Sequence, residues 1–411
     1  MPDRSDQTSL RTPTVRRPAR VLFLHSSNEL YGSDLVLLNL LRGLDQRYIH
    51  PIVLVPNDMN YDGLFSRELA SSGIDCRPLP IAVARRKYFT PTGLFGFFRK
   101  LQDSAKMVSK IIRDEHIDLV HSNTLAVWTG AMAARRSKRP HLWHVHELIE
   151  RPPQLNTFMR RFAPSHSTKI ISVCQAGLDH LLVNPHDREK GIVLYNGLDG
   201  QQWMTATGRE RIRQELGCGP EDVLFGMVAR LSSFKAPDLF VKAVTQLIGQ
   251  NPRIHCFIAG GPVPGQTAML EEVQALIAAS PAPERIHLLG FRKDVPDLMA
   301  ALDVLVQPSR DPEACSMTIL QAMFASKSVI ATDVGGNKEL VMDGKTGMLV
   351  PREDVAALTS AIADLAGNAP KRQSMGMAGQ QRALERFTLQ HQTSRFNQIL
   401  WDAHVAAVRQ R

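Results

Sequence analysis

Short runs of β-branched and other apolar residues alternate along this chain with longer amphipathic segments, almost from end to end. Runs of that kind, bounded by polar or glycine-containing stretches, are what strands buried on both faces look like, so the pattern predicts parallel sheets with helices on either side. The first half predicts strands at Val21–His25, Ile52–Val55, Leu119–Ser122, Leu142–His146, Ile170–Val173 and Ile192–Tyr195. The second half predicts them at Leu224–Ala229, Ile254–Ala259, Ile286–Leu289, Val304–Gln307 and Val329–Thr332. Each half therefore reads as an α/β, doubly wound, Rossmann-like sheet. Residues 20–200 are expected to form one domain and residues 201–388 a second, with the join near the turn signal Asn196-Gly197. Leu389 to Val408 is helical in pattern, carries Phe396, Leu400 and Trp401, and follows what reads as a finished domain. Residues 389–411 are expected to pack back on the first domain. Ligands of such sheets sit at the carboxyl ends of strands, which predicts a cleft fed by loops from both halves.

Length agrees with two domains: 411 residues exceed what one ordinary core organises. Residues 1–19, rich in Arg, Pro, Ser and Thr, read as a basic, solvated tail without the apolar region of a secretory signal. The run Leu35 to Leu41 contains Asn39 and is far shorter than the ~20 residues needed to cross a bilayer. Five scattered cysteines (Cys76, Cys174, Cys218, Cys256, Cys315) show no C-x-x-C spacing and predict a reduced, cytoplasmic setting. Charge is uneven. Residues 1–200 carry a net +8 (27 Lys and Arg, 19 Asp and Glu), whereas residues 201–411 carry +1 (22 against 21). Arg85, Arg86 and Lys87, followed by Tyr88, Phe89, Phe95, Phe97, Phe98, Arg99 and Lys100, mix cations with aromatics. That mixture suits an anionic membrane surface or a lipid-phosphate acceptor, or simply a solvated helix face over core aromatics. Without a recognition motif interleaved with the positive charge, no nucleic-acid partner is expected.

Four loops converge on one ligand class. In HSSNELYGSDLVLLNLLRGL a predicted strand leads to a helix beginning near Asp34, and Gly32 lies where backbone can approach a ligand, or where a plain turn needs no side chain. GMVARLSSFKAPDLF places Arg230 and Lys235 on a strand-end loop, suited to a diphosphate or, less specifically, to surface ion pairs. The stretch from Val306 to Leu349 reads as strand, polar loop with Glu313, a helix from about Ser316 with Gln321 just over one turn inside it, and a further strand. It ends in Asp333-Val334-Gly335-Gly336, a turn whose N–H groups suit phosphate or form an ordinary loop. The triplet His141, His144, His146 invites a zinc reading, but on a strand His141 points away from the other two and no cysteine lies near, so no metal site is expected. Cys174 and Cys315 read as small packed residues rather than nucleophiles.

Taken in order, these motifs resemble a retaining GT-B glycosyltransferase of family 4 (glycosyl transferases group 1). The matching residues are Gly32, Asn196-Gly197-Leu198-Asp199, Arg230 with Lys235, Glu313, and Gly335-Gly336 with Glu339, spanning Arg20 to about Phe387. The resemblance implies two Rossmann-like domains facing across a cleft, and transfer of a sugar, with retention and without a metal, from a UDP- or GDP-sugar to a glycan or lipid-linked acceptor. It implies no cofactor, the nucleotide-sugar being a substrate. It further implies that Arg230 and Lys235 hold the donor diphosphate, that Glu313 contacts the transferring sugar, and that His146 in HVHE lies beside the scissile bond. Gly290-Phe291 would hold the base, with Gly32, Ser316, Met317, Gln321, Gly335 and Gly336 completing the donor site. Two departures stand out: Gln321 replaces the family's second glutamate, and Glu313-Ala314-Cys315-Ser316 replaces E-G-F-G. A catalytically silent nucleotide-sugar or glycan-binding subunit, or a nucleotide-sugar epimerase, are the rival readings. No residue pattern favours an Asp-x-Asp metal bridge, so the two cations are expected to take up the leaving charge, peripherally on the inner face of a membrane.

Overall fold

The computed structural model describes residues 17–85, 88–263 and 265–409. Its first sheet holds β1 (Ala19–Leu24), β2 (Ile49–Pro56), β3 (Asp75–Leu79), β4 (Leu119–Asn123), β5 (His141–Val145), β6 (Lys169–Ser172) and β7 (Gly191–Val193). The spatial order is β3-β2-β1-β4-β5-β6-β7, and every pairing is parallel. The second sheet holds β8 (Val223–Val228), β9 (Ile254–Ala259), β10 (Ile286–Gly290), β11 (Val304–Gln307), β12 (Ser328–Thr332) and β13 (Met348–Val350), ordered β10-β9-β8-β11-β12-β13 and again parallel. Both are the doubly wound sheets expected from the apolar runs. In each, the order reverses beside the first strand, which opens a crevice at the carboxyl ends of β1 and β4 and of β8 and β11.

Strand alternation decides which side chains meet which helices. Val21 and Phe23, Leu119, Leu142 and Ile171 share one face of the first sheet and form one buried cluster with Leu37 and Leu41 of helix Gly32–Arg42 and with Phe396 and Leu400 of helix Leu389–Arg409. The opposite face, with Leu22, Leu24 and Val120, packs on Val108 and Ile112 of helix Pro91–Asp114. The C-terminal helix is thus part of the first domain's core. Burial of Phe396 alone contributes about 2 kcal/mol, and Asn397 adds bonds to Asp45 N (2.8 Å) and Gly43 O (2.9 Å).

The chain crosses between the domains twice, and the two crossings are tied to each other. Leu198 N–H donates to Phe387 O and Leu389 N–H to Leu198 O, both at 2.9 Å, while Gly197 N–H donates to Gln392 Oε1 at 2.9 Å. A Cβ on Gly197 would stand 2.4 Å from Thr388 O, so only glycine permits this approach.

Three expectations change. β3 and β13, both sheet edges, fall outside the predicted strands: β3 reads Asp-Cys-Arg-Pro-Leu, and β13, Met-Leu-Val, is an apolar run of only three residues. Residues 1–16 of the basic tail, with Arg86 and Lys87, lie outside the described residues. Arg17, however, pairs with Asp118 (2.9 Å) and Ala19 already opens β1. In the basic–aromatic cluster, Arg85 (3.0 Å) and Lys100 (3.8 Å) both pair with buried Asp58, and Phe97 is core. Those three serve the fold. Phe95 and Phe98 remain 78% and 46% exposed, beside exposed Arg99.

Candidate active site

On the second sheet, the loop after β8 carries Arg230 and Lys235 and ends at Ala236, which adopts a left-handed conformation (φ 55°) as it caps helix Pro237–Ile248. That turn sends Lys235 towards the loop after β11, where its Nζ bonds Glu313 Oε1. The same oxygen accepts from Ser309 Oγ (2.8 Å) and Gln307 Nε2 (3.2 Å). Glu313 is buried, and all its side-chain bonds among the described residues fall on Oε1; Oε2 is left as an acceptor. A carboxylate held from one side in this way presents its other oxygen in a fixed direction.

Gly335 and Gly336 explain how that loop keeps its place. Gly336 N–H donates to Glu313 O at 2.7 Å, Gly335 has φ 54°, and Cβ atoms on the two would stand 2.1 Å from Glu313 O and 2.0 Å from Ala314 O. The glycine pair braces the Glu313 loop. Of its two N–H groups, Gly336's is committed to that brace. Ser316 caps helix Met317–Phe324, its Oγ accepting from Ile319 N at 3.5 Å, and Met317 packs against the cores of both domains. Gln321 lies half-buried one turn inside, its amide unbonded among the described residues. Gly290 (φ 63°) ends β10 and accepts from Gly260 N–H at 2.7 Å, leaving Phe291 76% exposed.

Arg230 is exposed, makes no ion pair among the described residues, and places its guanidinium carbon 5.9 Å from the ring centroid of Tyr31 in the first domain. Tyr31 precedes Gly32, the first residue of helix Gly32–Arg42. A Cβ on Gly32 would meet nothing within 4 Å, so the fold itself does not demand a glycine there. The structure therefore brings Arg230 and the Gly32 turn to the same gap, with Lys235 and Glu313 on the adjoining loops of the second sheet.

His146 follows β5. Its Nε2 lies 2.9 Å from Asn123 Oδ1, Asn123 Nδ2 lies 3.0 Å from His25 Nδ1, and His25 Nε2 lies 2.6 Å from Asp34 Oδ1. Burial pushes the His146 imidazole down to about 3, with the neighbouring His25 adding to the effect, so His146 is neutral at working pH. Burial likewise raises Glu147, whose carboxylate accepts from Leu125 N (3.1 Å) and His146 N (3.2 Å). His144 lies tilted against His146 with ring centroids 4.2 Å apart, whereas His141 faces the other side of the sheet and bonds Ser122 Oγ at 2.9 Å. Among the described residues no group of three or more His, Cys, Asp or Glu side chains has the geometry to hold a metal ion. Cys174 and Cys315 are pushed up to about 12 by burial, which makes both poor nucleophiles.

Several residues of this region carry no signal in the sequence. Asp34, His25 and Asn123 come together only because β1 and β4 are neighbours. Glu339, matched above only as part of a motif, crosses the gap: it accepts from Gln175 N (2.7 Å), Ala176 N (2.8 Å) and Tyr195 Oη (2.9 Å) of the first domain.

Sequence comparison adds relatives to this geometry. Lipopolysaccharide core biosynthesis mannosyltransferase LpsB of Rhizobium meliloti is 28% identical over 202 residues, 49% of this chain and 57% of that protein. D-inositol 3-phosphate glycosyltransferase of Streptomyces avermitilis is 28% identical over 294 residues, 66% of this chain and 62% of that one. The chain thus matches about three fifths of the length of these curated relatives. Among solved structures, Anabaena HepE in complex with UDP-glucose superposes with a TM-score of 0.75 at 25% identity, covering 93% of this chain and 99% of its own. The family described as Glycosyltransferase Family 4 matches residues 32–202, and that described as Glycosyl transferases group 1 matches residues 208–382, between them nearly the whole of both sheets. The chain belongs to the GT-B glycosyltransferases of family 4, the glycosyl transferases group 1.

Proposed function

We propose that this protein moves a sugar from a UDP- or GDP-sugar to a hydroxyl of a glycan or lipid-linked acceptor in glycolipid or polysaccharide biosynthesis, with retention of configuration. One observation carries the reading: among the described residues Glu313 is held on Oε1 by Lys235, Ser309 and Gln307 with no bond on Oε2, while Arg230, on the same loop as Lys235, makes no ion pair and approaches Tyr31 of the first domain. Cleaving a sugar–diphosphate bond places negative charge on the leaving oxygen. A cation about 4 Å away contributes up to ~4 kcal/mol at an effective dielectric of 20. Half of that, expressed only in the transition state, accelerates the step more than tenfold.

Lys235 keeps two further N–H donors after bonding Glu313, so it serves both carboxylate and diphosphate. Arg230 and Lys235 supply the charge that a metal would otherwise bring, and Glu313 Oε2 accepts from the sugar's hydroxyls. His146, neutral, contacts the sugar from the first domain. Gly290 and Phe291 hold the base, while Gly32, Ser316, Met317, Gln321, Gly335 and Gly336 surround the rest of the donor. The relatives favour this class: one is a mannosyltransferase of lipopolysaccharide core biosynthesis and another is found in complex with UDP-glucose. The acceptor side is proposed to meet an anionic membrane surface on the cytoplasmic side through Phe95, Phe98, Arg99, Phe158 and Arg161. Phe98 and Phe158 flank Trp128 at 6.5 Å and 5.0 Å, which joins the two helices that carry them into one patch.

Gln321, with the Ala314-Cys315-Ser316 segment, favours a second reading, a silent nucleotide-sugar or glycan-binding subunit. Incubation of purified protein with UDP-, GDP- and ADP-sugars, followed by assay of released nucleoside diphosphate, separates the two. Release from one donor class is expected. Saturable binding without release would establish the silent subunit, and no binding of any donor would overturn both.

A further inference from the structure

The hydrogen bonds running from Asp34 to His146 have one self-consistent direction. Asp34 is buried and accepts from Tyr31 N (3.0 Å) and Ser27 Oγ (3.3 Å) on Oδ2, while Oδ1 faces His25 Nε2 at 2.6 Å. A carboxylate only accepts, so His25 carries its proton on Nε2. In the neutral ring Nδ1 is then an acceptor, and the atom of Asn123 that faces it at 3.0 Å is the amide NH2. Asn123 Oδ1 consequently faces His146 and accepts from Nε2–H at 2.9 Å. His146 is left with an unprotonated Nδ1 that has no partner among the described residues. His25, Asn123 and Asp34 are 0%, 0% and 3% exposed, so water does not scramble this order.

We propose that Asp34, acting through His25 and Asn123, is a positioning residue that fixes which ring nitrogen His146 offers to the donor sugar. This rests on the sugar-contacting role given to His146 above. The carboxylate that braces the first turn of helix Gly32–Arg42, accepting from the backbone of its N-cap Tyr31, thereby also makes His146 an acceptor at Nδ1. A neutral histidine in the other tautomer would present a donor N–H at the same place.

Asp34→Asn inverts the chain without changing its shape. Its Oδ1 can keep the bonds from Tyr31 and Ser27, and its Nδ2 then donates to His25 Nε2. The proton of His25 moves to Nδ1, Asn123 turns over to accept it, and its NH2 donates to His146 Nε2, which puts the His146 proton on Nδ1. Adding Asn123→Asp returns a carboxylate to the middle of the chain. It accepts from His25 Nδ1–H and from His146 Nε2–H, and the original tautomer comes back.

The experiment is 15N NMR of histidine-labelled protein without substrate, with His146 assigned by comparison with His146→Gln, alongside turnover of a donor sugar. Expected are an Nε2–H tautomer in the wild type, Nδ1–H in Asp34→Asn, and Nε2–H again in the double variant. Turnover is expected to fall about 10- to 100-fold in the single variant, with little change in KM for the donor, and to recover in the double. An Nδ1–H tautomer in the wild type overturns the inference with no variant needed. So does a tautomer that Asp34→Asn leaves unmoved, or turnover that stays low after the double variant restores Nε2–H. Because the tautomer is read on protein alone, failure here is distinguishable from failure of the glycosyltransferase reading.

Discussion

Three buried histidines make the first domain sensitive to mild acid. His121, His141 and His144 are at most 2% exposed; both ring nitrogens of His121 and of His144 lack a hydrogen-bond partner among the described residues, and both rings lie against Phe396 of the C-terminal helix at 5.5 Å and 6.0 Å. Burial holds all three below the ordinary histidine range, His141 down to about 3 and the other two well below 6.5. The unfolded chain, titrating near 6.5, therefore binds more protons than the folded one below that pH. The histidines' contribution to stability is constant above about pH 6.5 and falls as pH drops towards about 3. A histidine still neutral at pH 5 forgoes about 1.5 units of proton binding, or about 2 kcal/mol, so these three together with His146, which burial also holds down to about 3, cost about 8 kcal/mol of the 5–15 typical of a domain. Paired carboxylates such as Asp58 and Asp303, held below their ordinary 3.8, lose stability only at lower pH, and Glu147, raised by burial, works in the opposite sense, so the more numerous buried histidines dominate the range between 6.5 and 4. Urea unfolding followed by fluorescence, with buried Trp128 and Trp143 as first-domain reporters, should show a steep loss of midpoint between pH 7 and 5. His144→Leu should recover about 2 kcal/mol at pH 5 and be near neutral at pH 7.5, since it removes two orphaned nitrogens. An equal midpoint at both pH values, or a pH slope unmoved by His144→Leu, would refute the reasoning.

Lys235→Ala should lower turnover at least a hundredfold while the protein stays folded, because Ser309 and Gln307 still hold Glu313; unchanged turnover removes Lys235 from the mechanism. Glu339→Gln points an NH2 at a backbone N–H of Gln175 or Ala176, weakening the interdomain contact by about 1.5–3 kcal/mol. Hydrogen exchange at those two amides should quicken at least tenfold, and equal rates would show that the contact contributes nothing in solution. Gln321→Glu, restoring a charged acceptor, should tighten donor binding about tenfold by calorimetry, and weaker binding would place Gln321 away from the donor.

Interior strands were legible because burial on both faces leaves no choice but a continuous apolar run, as in β1, β4 and β9. Of the edge strands, β7 and β10 still carry readable apolar runs, whereas β3 and β13 were not legible, because solvent on one side lets β3 carry Asp75 and Arg77 and lets β13 shrink to three residues. Arg230, Lys235 and Glu313 could be picked out because charge on strand-end loops has little structural use. What was hidden is pairing across long separations. Asn123 lies 98 residues from His25, and Glu339 lies 163 from Ala176, distances at which no spacing rule operates. Arg85 and Lys100 looked like surface charge because their partner, Asp58, sits on a different loop.

The way charges are divided between the domains sets what interdomain motion can change. Lys235, Glu313 and the Gly335-Gly336 brace all belong to the second sheet, so rotation of one domain against the other leaves the Glu313 carboxylate and its cation in register. Tyr31, the Asp34–His146 chain and the C-terminal helix all belong to the first, and they too move as one. Between them stand the paired crossings at Gly197–Leu198 and Phe387–Leu389, whose two backbone bonds resist translation more than twist, together with Glu339 and the Arg230–Tyr31 approach. Opening the gap therefore costs the three bonds of Glu339 and withdraws Arg230 from the Gly32 turn. Closing it restores both at once. On the proposed reading, Glu339 would set the energy of the closed state through its bonds to Gln175, Ala176 and Tyr195, whereas Arg230 would bring charge to the donor only when that state is reached. Variants at the two positions should then differ in kind: Glu339→Gln slows turnover through the population of closed protein and is rescued by saturating donor, whereas Arg230→Ala lowers the maximal rate at any donor concentration.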